Sequence, residues 1–243
     1  MLKDHQDAFG HLFKDYLRGT ADSYVIERDD GLIRSDPIKG YFNTYRHWPA
    51  NLRKAMRYIR GRVLDVGCGA GRHALYLQEK GHDVVGIDDS PLAIEVCKER
   101  GLKDARVIST TQIGTYLGTF DTVIMFGGNF GLVGSFEGAR RLLKRLDRVT
   151  SQNGRIIATC RDPYQTDNPD FLEYHERNRK KGRMAGQIRL RIRHGRYATP
   201  WIDWLIVSRN EMQEILSETS WRVKRFIESG GDAYIAIIDK TKG

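Results

Sequence analysis

The sequence predicts an α/β protein with a doubly wound, mainly parallel sheet. Three observations carry that reading. Short apolar runs rich in β-branched residues recur along the chain, as strands buried on both faces require. Stretches with helical apolar spacing separate them. At the first such junction the run Val63-Leu64-Asp65-Val66 passes through Gly67, Gly69 and Gly71 into a helix that ends near Gly81. A strand that turns through glycines into a helix N-terminus lets backbone approach a ligand closely. It also points the unpaired N–H groups of the first helical turn at that ligand, which suits negative charge.

Upstream of that junction, residues 3–18 carry Phe9, Leu12, Phe13, Tyr16 and Leu17 on one helical face. Val25-Ile26 and Leu32-Ile33 flank Asp29-Asp30-Gly31, a turn signal that predicts a small hairpin. Tyr41, Phe42, Tyr45 and Trp48 form an aromatic cluster ahead of a helix that starts at Pro49, shares Leu52, Met56 and Ile59 on one face and stops at Gly61. Downstream, Asp83-Val84-Val85-Gly86-Ile87 is the second strand of the sheet and ends at Asp88. Ser90 and Pro91 start the next helix, and Val107-Ile108 is a short third strand. Phe120 to Phe126 is the fourth strand, running into Gly127-Gly128-Asn129-Phe130-Gly131. Ser135 caps the helix of residues 136–149, and Arg155 to Cys160 is the fifth strand. A helix after Asn168-Pro169 follows. Ile188, Leu190 and Ile192 then alternate with Arg189, Arg191 and Arg193, a strand with one apolar and one basic face that returns through Trp201 to Val207. Ser208 caps the last helix, and Trp221–Ile227 and Ala233–Asp239 close the sheet.

Length and composition fit one large domain with an appendage. The 243 residues are 40% hydrophobic, enough for a proper core. No apolar run reaches membrane-spanning length, and MLKDHQDAFG does not read as a signal peptide, so a cytoplasmic protein is expected. Cys68, Cys97 and Cys160 lie far apart beside core segments and read as small buried residues, with neither metal-site nor disulfide spacing. The net charge is +9, and the stretch Arg177–Arg196 alone holds nine Lys or Arg and no Asp or Glu. Any expectation about acidic partners is therefore an expectation about that stretch. Arg140, Arg141, Lys144, Arg145 and Arg148 form a second basic set, on the outward face of their helix.

The glycine spacing separates two ligand classes. A dinucleotide fingerprint is G-x-G-x-x-G, whereas this loop is G-x-G-x-G with Arg72 where the last glycine should stand. Asp88 lies 21 positions past Gly67, where a carboxylate can accept hydrogen bonds from ribose hydroxyls. On these residues VLDVGCGAGRHALYLQEKGHDVVGIDDSP resembles the donor-binding half of class I S-adenosylmethionine-dependent methyltransferases.

The resemblance implies a Rossmann-like doubly wound seven-stranded sheet, with an N-terminal helical cap over residues 1–60. It implies a core over 61–162 and 201–243, and a helix-plus-β-hairpin insertion after the fifth strand, 163–200, over the active-site mouth. It implies S-adenosyl-L-methionine as cofactor, touched by Asp65, Gly67, Cys68, Gly69, Gly71, Asp88, Asp89, Thr111, Gln112 and Phe126. Thr111 stands where many family members carry an acidic residue near the adenine, a departure from the pattern. N-terminal elements of the family often fold over the donor, which gives the aromatic cluster a role besides docking. Ligands of open α/β sheets sit beyond the carboxyl ends of the strands, so Asn129 after the fourth strand is a candidate for the methyl acceptor. Tyr164, Tyr174 and His175 are candidates from the insertion.

The implied activity is methyl transfer to an O or N atom of a small molecule. An RNA methyltransferase that tracks phosphates with residues 177–196, and a non-catalytic donor-binding interaction protein, are the alternatives. The loop after the fourth strand is not the Asn/Asp-Pro-Pro-Tyr type of amino-methylating nucleic-acid enzymes. Asp162-Pro163-Tyr164 lacks one proline and follows the fifth strand, and no cysteine stands in a Pro-Cys setting for a covalent C5 route.

Overall fold

The computed structural model describes residues 2–228 and 230–241. In chain order the first elements are α1 (Ala8–Leu17), β1 (Ser23–Arg28), β2 (Ile33–Pro37), α2 (Ala50–Ala55), β3 (Val63–Val66), α3 (Arg72–Glu79) and β4 (Val84–Asp88). There follow α4 (Pro91–Glu99), β5 (Asp104–Val107), β6 (Phe120–Met125), α5 (Phe136–Arg148), β7 (Thr150–Arg161) and α6 (Pro169–Lys180). The last are β8 (Gln187–His194), β9 (Tyr197–Ala198), β10 (Ile202–Leu205), α7 (Arg209–Ser217), β11 (Trp221–Glu228) and β12 (Ala233–Lys240).

The main sheet has seven strands in the order β11-β12-β7-β6-β3-β4-β5. The pairs β3–β4, β4–β5 and β6–β7 are parallel, and β12 and β11 are added antiparallel. This is the doubly wound sheet expected. The helix starts follow the capping residues: Ser90 accepts the Ala93 amide at 2.9 Å, Ser135 that of Gly138 at 3.0 Å, and Asn168 that of Asp170 at 2.9 Å. Ser208 and Glu211 form a reciprocal capping box at the start of α7.

The chain divides into two compact units. One comprises the chain up to Trp48, Arg60–Ile113 and Arg189–Ile202. In it, α1 packs on α4, and Ala8, Leu12 and Phe13 join Ala93, Val96 and Ala70 in one buried cluster. The approach is close because residue 10 is glycine: a Cβ there would stand 2.4 Å from the Cβ of Leu92. The N-terminal segment is less helical than expected. Residues 4–6 form a separate 3-10 turn before α1, α2 is only six residues long, and β1–β2 is the hairpin foreseen at Asp29-Asp30-Gly31.

That hairpin belongs to a second sheet, β10-β8-β1-β2 with β9 beside β8, so residues 202–205 lie outside the main sheet. Two arginines of its basic face share one acid of β1. Arg191, paired with Glu27 across β1–β8, makes two bonds of 2.8 Å to that carboxylate, and Arg193 adds a third at 3.2 Å. Cross-strand charge complementarity thus engages Arg191 and Arg193 of the alternating arginines.

The other unit comprises Pro49–Ile59, Gly114–Ile188 and the chain from Asp203 onward. Leu142, Leu143 and Leu146 of α5 are buried, and the Trp221 indole donates to the Leu143 carbonyl at 3.2 Å. Arg155 holds Asp239 through two bonds of 2.5 and 2.9 Å. Asn178, 1% exposed, joins α6 to the start of β8 by donating to the carbonyls of Ala185 (3.0 Å) and Gln187 (2.7 Å). Among the described residues no helix is long and apolar enough to cross a membrane.

Asn178→Leu keeps the side-chain volume but strands two buried carbonyls. It should cost about 1–3 kcal/mol in chemical denaturation, whereas Asn153→Asp on the surface should cost little.

Candidate functional site

The glycine loop is built on backbone that only glycine adopts without strain. Gly67, Gly69 and Gly71 have φ of 71°, 54° and 80°. The amides of Gly67 and Cys68 both bond the Ile87 carbonyl, at 2.8 and 3.0 Å, which draws the loop onto the end of β4. Asp88 closes that strand. One of its oxygens accepts the Gly69 amide at 2.9 Å and the other the Ser90 amide at 3.0 Å. Asp65, one residue short of the end of β3, is 1% exposed. It accepts the amide of Ala74 in the first turn of α3, while its Oδ2 is buried with no hydrogen-bond partner.

These carboxyls resist ionisation. Burial raises Asp65 to about 7, and the neighbouring Asp88 adds to the shift while Arg72 opposes it. Burial and the adjacent Asp89 likewise raise Asp88 to about 7, against the two amide hydrogen bonds. Arg72 opens α3 and donates to the Gly40 carbonyl and, at 3.1 Å, to the ring of His73. Burial and that guanidinium hold His73 well below its ordinary range, so it is a neutral acceptor. Cys68 and Cys97 are buried with their sulfurs 3.9 Å apart, and Cys97 donates to the Gly69 carbonyl at 3.0 Å.

The aromatic cluster divides its labour. Trp48 packs on α3, with ring centroids 4.9 Å from His73 and 5.1 Å from Tyr76, and Tyr45 stacks on Tyr76 at 4.6 Å. Tyr41 instead joins Phe13 of α1, centroids 5.2 Å apart, over the glycine loop. A Cβ on Gly69 would stand 3.6 Å from each of those rings. Sequence reasoning placed Phe13 only on a helix face and left out Asp7, whose position just before Ala8-Phe9 is an N-cap signal for α1.

Of the expected site residues, the first unit brings together Asp65, Gly67, Cys68, Gly69, Gly71, Asp88 and the exposed Asp89. Thr111 and Gln112 lie on an exposed 3-10 turn after β5 and are engaged locally. The Thr111 hydroxyl is 2.8 Å from that of Ser109, and the Gln112 carbonyl accepts the Ser109 amide at 3.1 Å. Phe126, Asn129, Tyr164, Tyr174 and His175 belong to the second unit. Phe126 is buried at the end of β6, and Asn129 opens a 3-10 turn after Gly128, whose amide donates to Thr159 at 2.8 Å. Tyr164 is exposed and its hydroxyl donates to Glu211 at 2.8 Å. Tyr174 and His175 are both 1% exposed, and Arg177 lies over the Tyr174 ring. The two candidates from the insertion are thus buried side chains of α6.

Comparison with known proteins decides what this loop belongs to. A family model described as a methyltransferase domain matches residues 64–158. The structure of a SAM-dependent methyltransferase from Bacteroides fragilis in complex with S-adenosyl-L-homocysteine superposes over 99% of this chain and 98% of that one. The TM-score is 0.84 and the identity 27%. The chain carries a methyltransferase domain and shares its fold with a SAM-dependent methyltransferase.

Curated methyltransferases align with shorter stretches. A 2-heptyl-1-hydroxyquinolin-4(1H)-one methyltransferase of Mycobacteroides abscessus is 43% identical over 72 residues, 27% of this chain and 32% of that protein. A tRNA (uracil(54)-C(5))-methyltransferase of Pyrococcus horikoshii is 30% identical over 131 residues, 51% of this chain and 30% of its own. The chain thus spans about a third of the length of these two relatives. Their names give them unlike acceptors.

The residues present fit the family's cofactor. A buried carboxylate oxygen without a partner suits the donor's ammonium, the first turn of α3 suits its carboxylate, and Asp88 suits hydroxyl donors. The electrostatics give a pH dependence. Both acids have native pKa values raised above the unfolded 3.8, so their contribution to stability declines as pH rises from about 4 to about 7. Cationic or hydroxyl partners favour the ionised forms. Affinity for S-adenosylhomocysteine should therefore rise between pH 6 and pH 8, by roughly tenfold per carboxyl that must ionise. Titration calorimetry in buffers of different ionisation enthalpy should register proton release near pH 6.5. A flat profile would show that neither carboxyl meets the ligand.

Proposed function

We propose that this protein is an enzyme that transfers the methyl group of S-adenosylmethionine to an O or N atom of a small molecule. The observation that carries the reading is the buried, unpartnered Asp65 oxygen beside the glycine loop and Asp88. In this reading Asp65 holds the donor's ammonium, the backbone of Gly67–Gly71 its carboxylate end, and Asp88 the ribose. Asp89, Thr111 and Gln112 border the adenine. The cofactor supplies an electrophilic sulfonium methyl, so the chain's task is to orient a nucleophile and exclude water. Phe13 and Tyr41, over Gly69, act as the water-excluding wall. Asn129 is the candidate contact for the acceptor.

Two features favour a small, already nucleophilic acceptor. Partial desolvation and the bond to Glu211 raise Tyr164 to about 12, so its phenol stays protonated at neutral pH and cannot serve as a base. The 177–196 stretch does not read as a phosphate track. Arg191 and Arg193 are committed to Glu27, Lys180 to Glu176 at 3.0 Å, and Arg183 to Asp203 at 3.4 Å. Arg177 and Arg196 lie over tyrosine rings. Six of the nine cations of the stretch thus have partners within the chain, which weighs against a surface given over to phosphates.

Asp88→Ala should weaken S-adenosylhomocysteine binding by about 1.5–3 kcal/mol through loss of charge-assisted hydrogen bonds. Unchanged affinity by calorimetry would displace the ribose from Asp88. Incubation with methyl-labelled donor and a fractionated metabolite extract should label a low-molecular-weight product. Label confined to RNA would overturn the small-molecule acceptor, and bound donor with no labelled product would leave an interaction protein.

A further inference from the structure

We propose that Asp7 is a positioning residue for the methyl donor, coupling the N-terminal helix α1 to the carboxylate that receives the ribose. The inference rests on the reading of Asp88 given above.

Asp7 is 1% exposed and serves two helices at once. Its Oδ1 accepts the Gly10 amide at 3.0 Å, which caps α1, and also the Ser90 hydroxyl at 2.6 Å. Its Oδ2 accepts the Leu92 amide, in the first turn of α4, at 3.1 Å. Ser90 passes the connection on. Its hydroxyl accepts the Ala93 amide at 2.9 Å, and its own amide donates to Asp88 at 3.0 Å. The other Asp88 oxygen holds Gly69, and Gly69 faces Phe13, which α1 itself carries. Asp7, Ser90, Asp88, Gly69 and Phe13 therefore close a ring of contacts around the donor loop.

The arrangement is more than an N-cap. A cap needs one acceptor oxygen for its own helix, and a surface serine or threonine supplies it. Here a carboxylate is buried, and three donors on two helices satisfy it. Gly10 is the steric half of the same device, since any larger residue would push α1 off Leu92. With α1 displaced, Ser90 loses its acceptor, and the carboxylate of Asp88 loses the strut that sets its direction.

Asp7 also acts through charge. The groups facing Asp88 are Asp7 from the start of α1, Asp65 from β3, Cys68 from the loop and Tyr41, with Asp89 adjacent. Arg72 opposes them through Asp65 and Tyr41. The charge of Asp7 raises Asp88, so removing it lowers the pH at which Asp88 ionises.

Three full-length variants test this with S-adenosylhomocysteine as the probe, in calorimetry from pH 5.5 to 8.5, beside Asp88→Ala. Asp7→Ala should weaken binding roughly tenfold or more at pH 8. Asp7→Asn keeps an acceptor for Gly10 and Ser90 but sets an amide donor against the Leu92 amide, so it should cost some stability, and it should move the midpoint of the pH–affinity curve to lower pH. Gly10→Ala removes no charge. Its added Cβ crowds both Leu92 and the Asp7 carboxylate, so it should weaken binding while lowering the midpoint less than Asp7→Asn does. A purely structural cap would lower the melting temperature of Asp7→Ala and leave the midpoint of Asp7→Asn in place, and that result would overturn the inference. If Asp7→Ala does not fold, the other two variants still decide. If Asp88→Ala binds like the parent, the ribose reading has failed and the coupling falls with it. If only Asp88→Ala weakens binding, the ribose reading stands and the coupling alone is lost.

Discussion

Two carboxyls buried beside a glycine loop are the constraint on which the first unit depends. Keeping Asp65 and Asp88 ionised in the free protein works against burial and against each other. The displacement to about 7 corresponds to a cost on the order of 4 kcal/mol for each group. A fold carries such a cost where a ligand relieves it. The two carboxyls reach the site by different routes. Asp65 is set by the end of β3 and the first turn of α3, and Asp88 by the end of β4 and two amide donors. Between them the loop is drawn onto Ile87 and its glycines take left-handed backbone, so side chains are excluded from the space a ligand would fill.

The surroundings are organised around the same loop. Arg72 ties the Gly40 carbonyl to the head of α3 and so fixes the residue before Tyr41. Arg100 does the same for Ala70 while lying over the Phe42 ring. Neutral His73, buried Cys97 and the Phe13–Tyr41 pair complete a wall that is apolar where it faces Gly69 and polar only through groups already committed. Methyl transfer from a sulfonium needs little acid–base chemistry and much exclusion of water. This lining is of that kind.

The basic character of the chain has a local explanation. The arginines of β8 meet Glu27 across the second sheet, and Arg191 also lies over Trp201. Lys180 and Arg183 of the stretch pair with Glu176 and Asp203, and Arg177 and Arg196 cover tyrosine rings. Net charge describes the molecule's field at a distance. It does not say which cations remain available to a partner, because acids far away in the chain neutralise them.

The local elements were legible in the sequence because their causes are local. Ser90-Pro91, Ser135, Asn168-Pro169 and Ser208 mark helix starts by hydrogen-bond chemistry within three residues. The glycine spacing and Asp88 mark the loop between β3 and α3 because the strand–turn–helix geometry is itself short-range. Tertiary contact decided the rest. The joining of residues 187–205 to the N-terminal hairpin, the choice of Phe13 and Tyr41 to face Gly69, and the burial of Tyr174 and His175 all depend on partners distant in sequence. Asp7 is the clearest case: a single carboxylate whose meaning lies in Ser90 and Leu92, more than eighty residues away. Hydrogen-bond and packing partners at that separation leave no periodicity for a sequence to display, and only the folded chain brings them within reach.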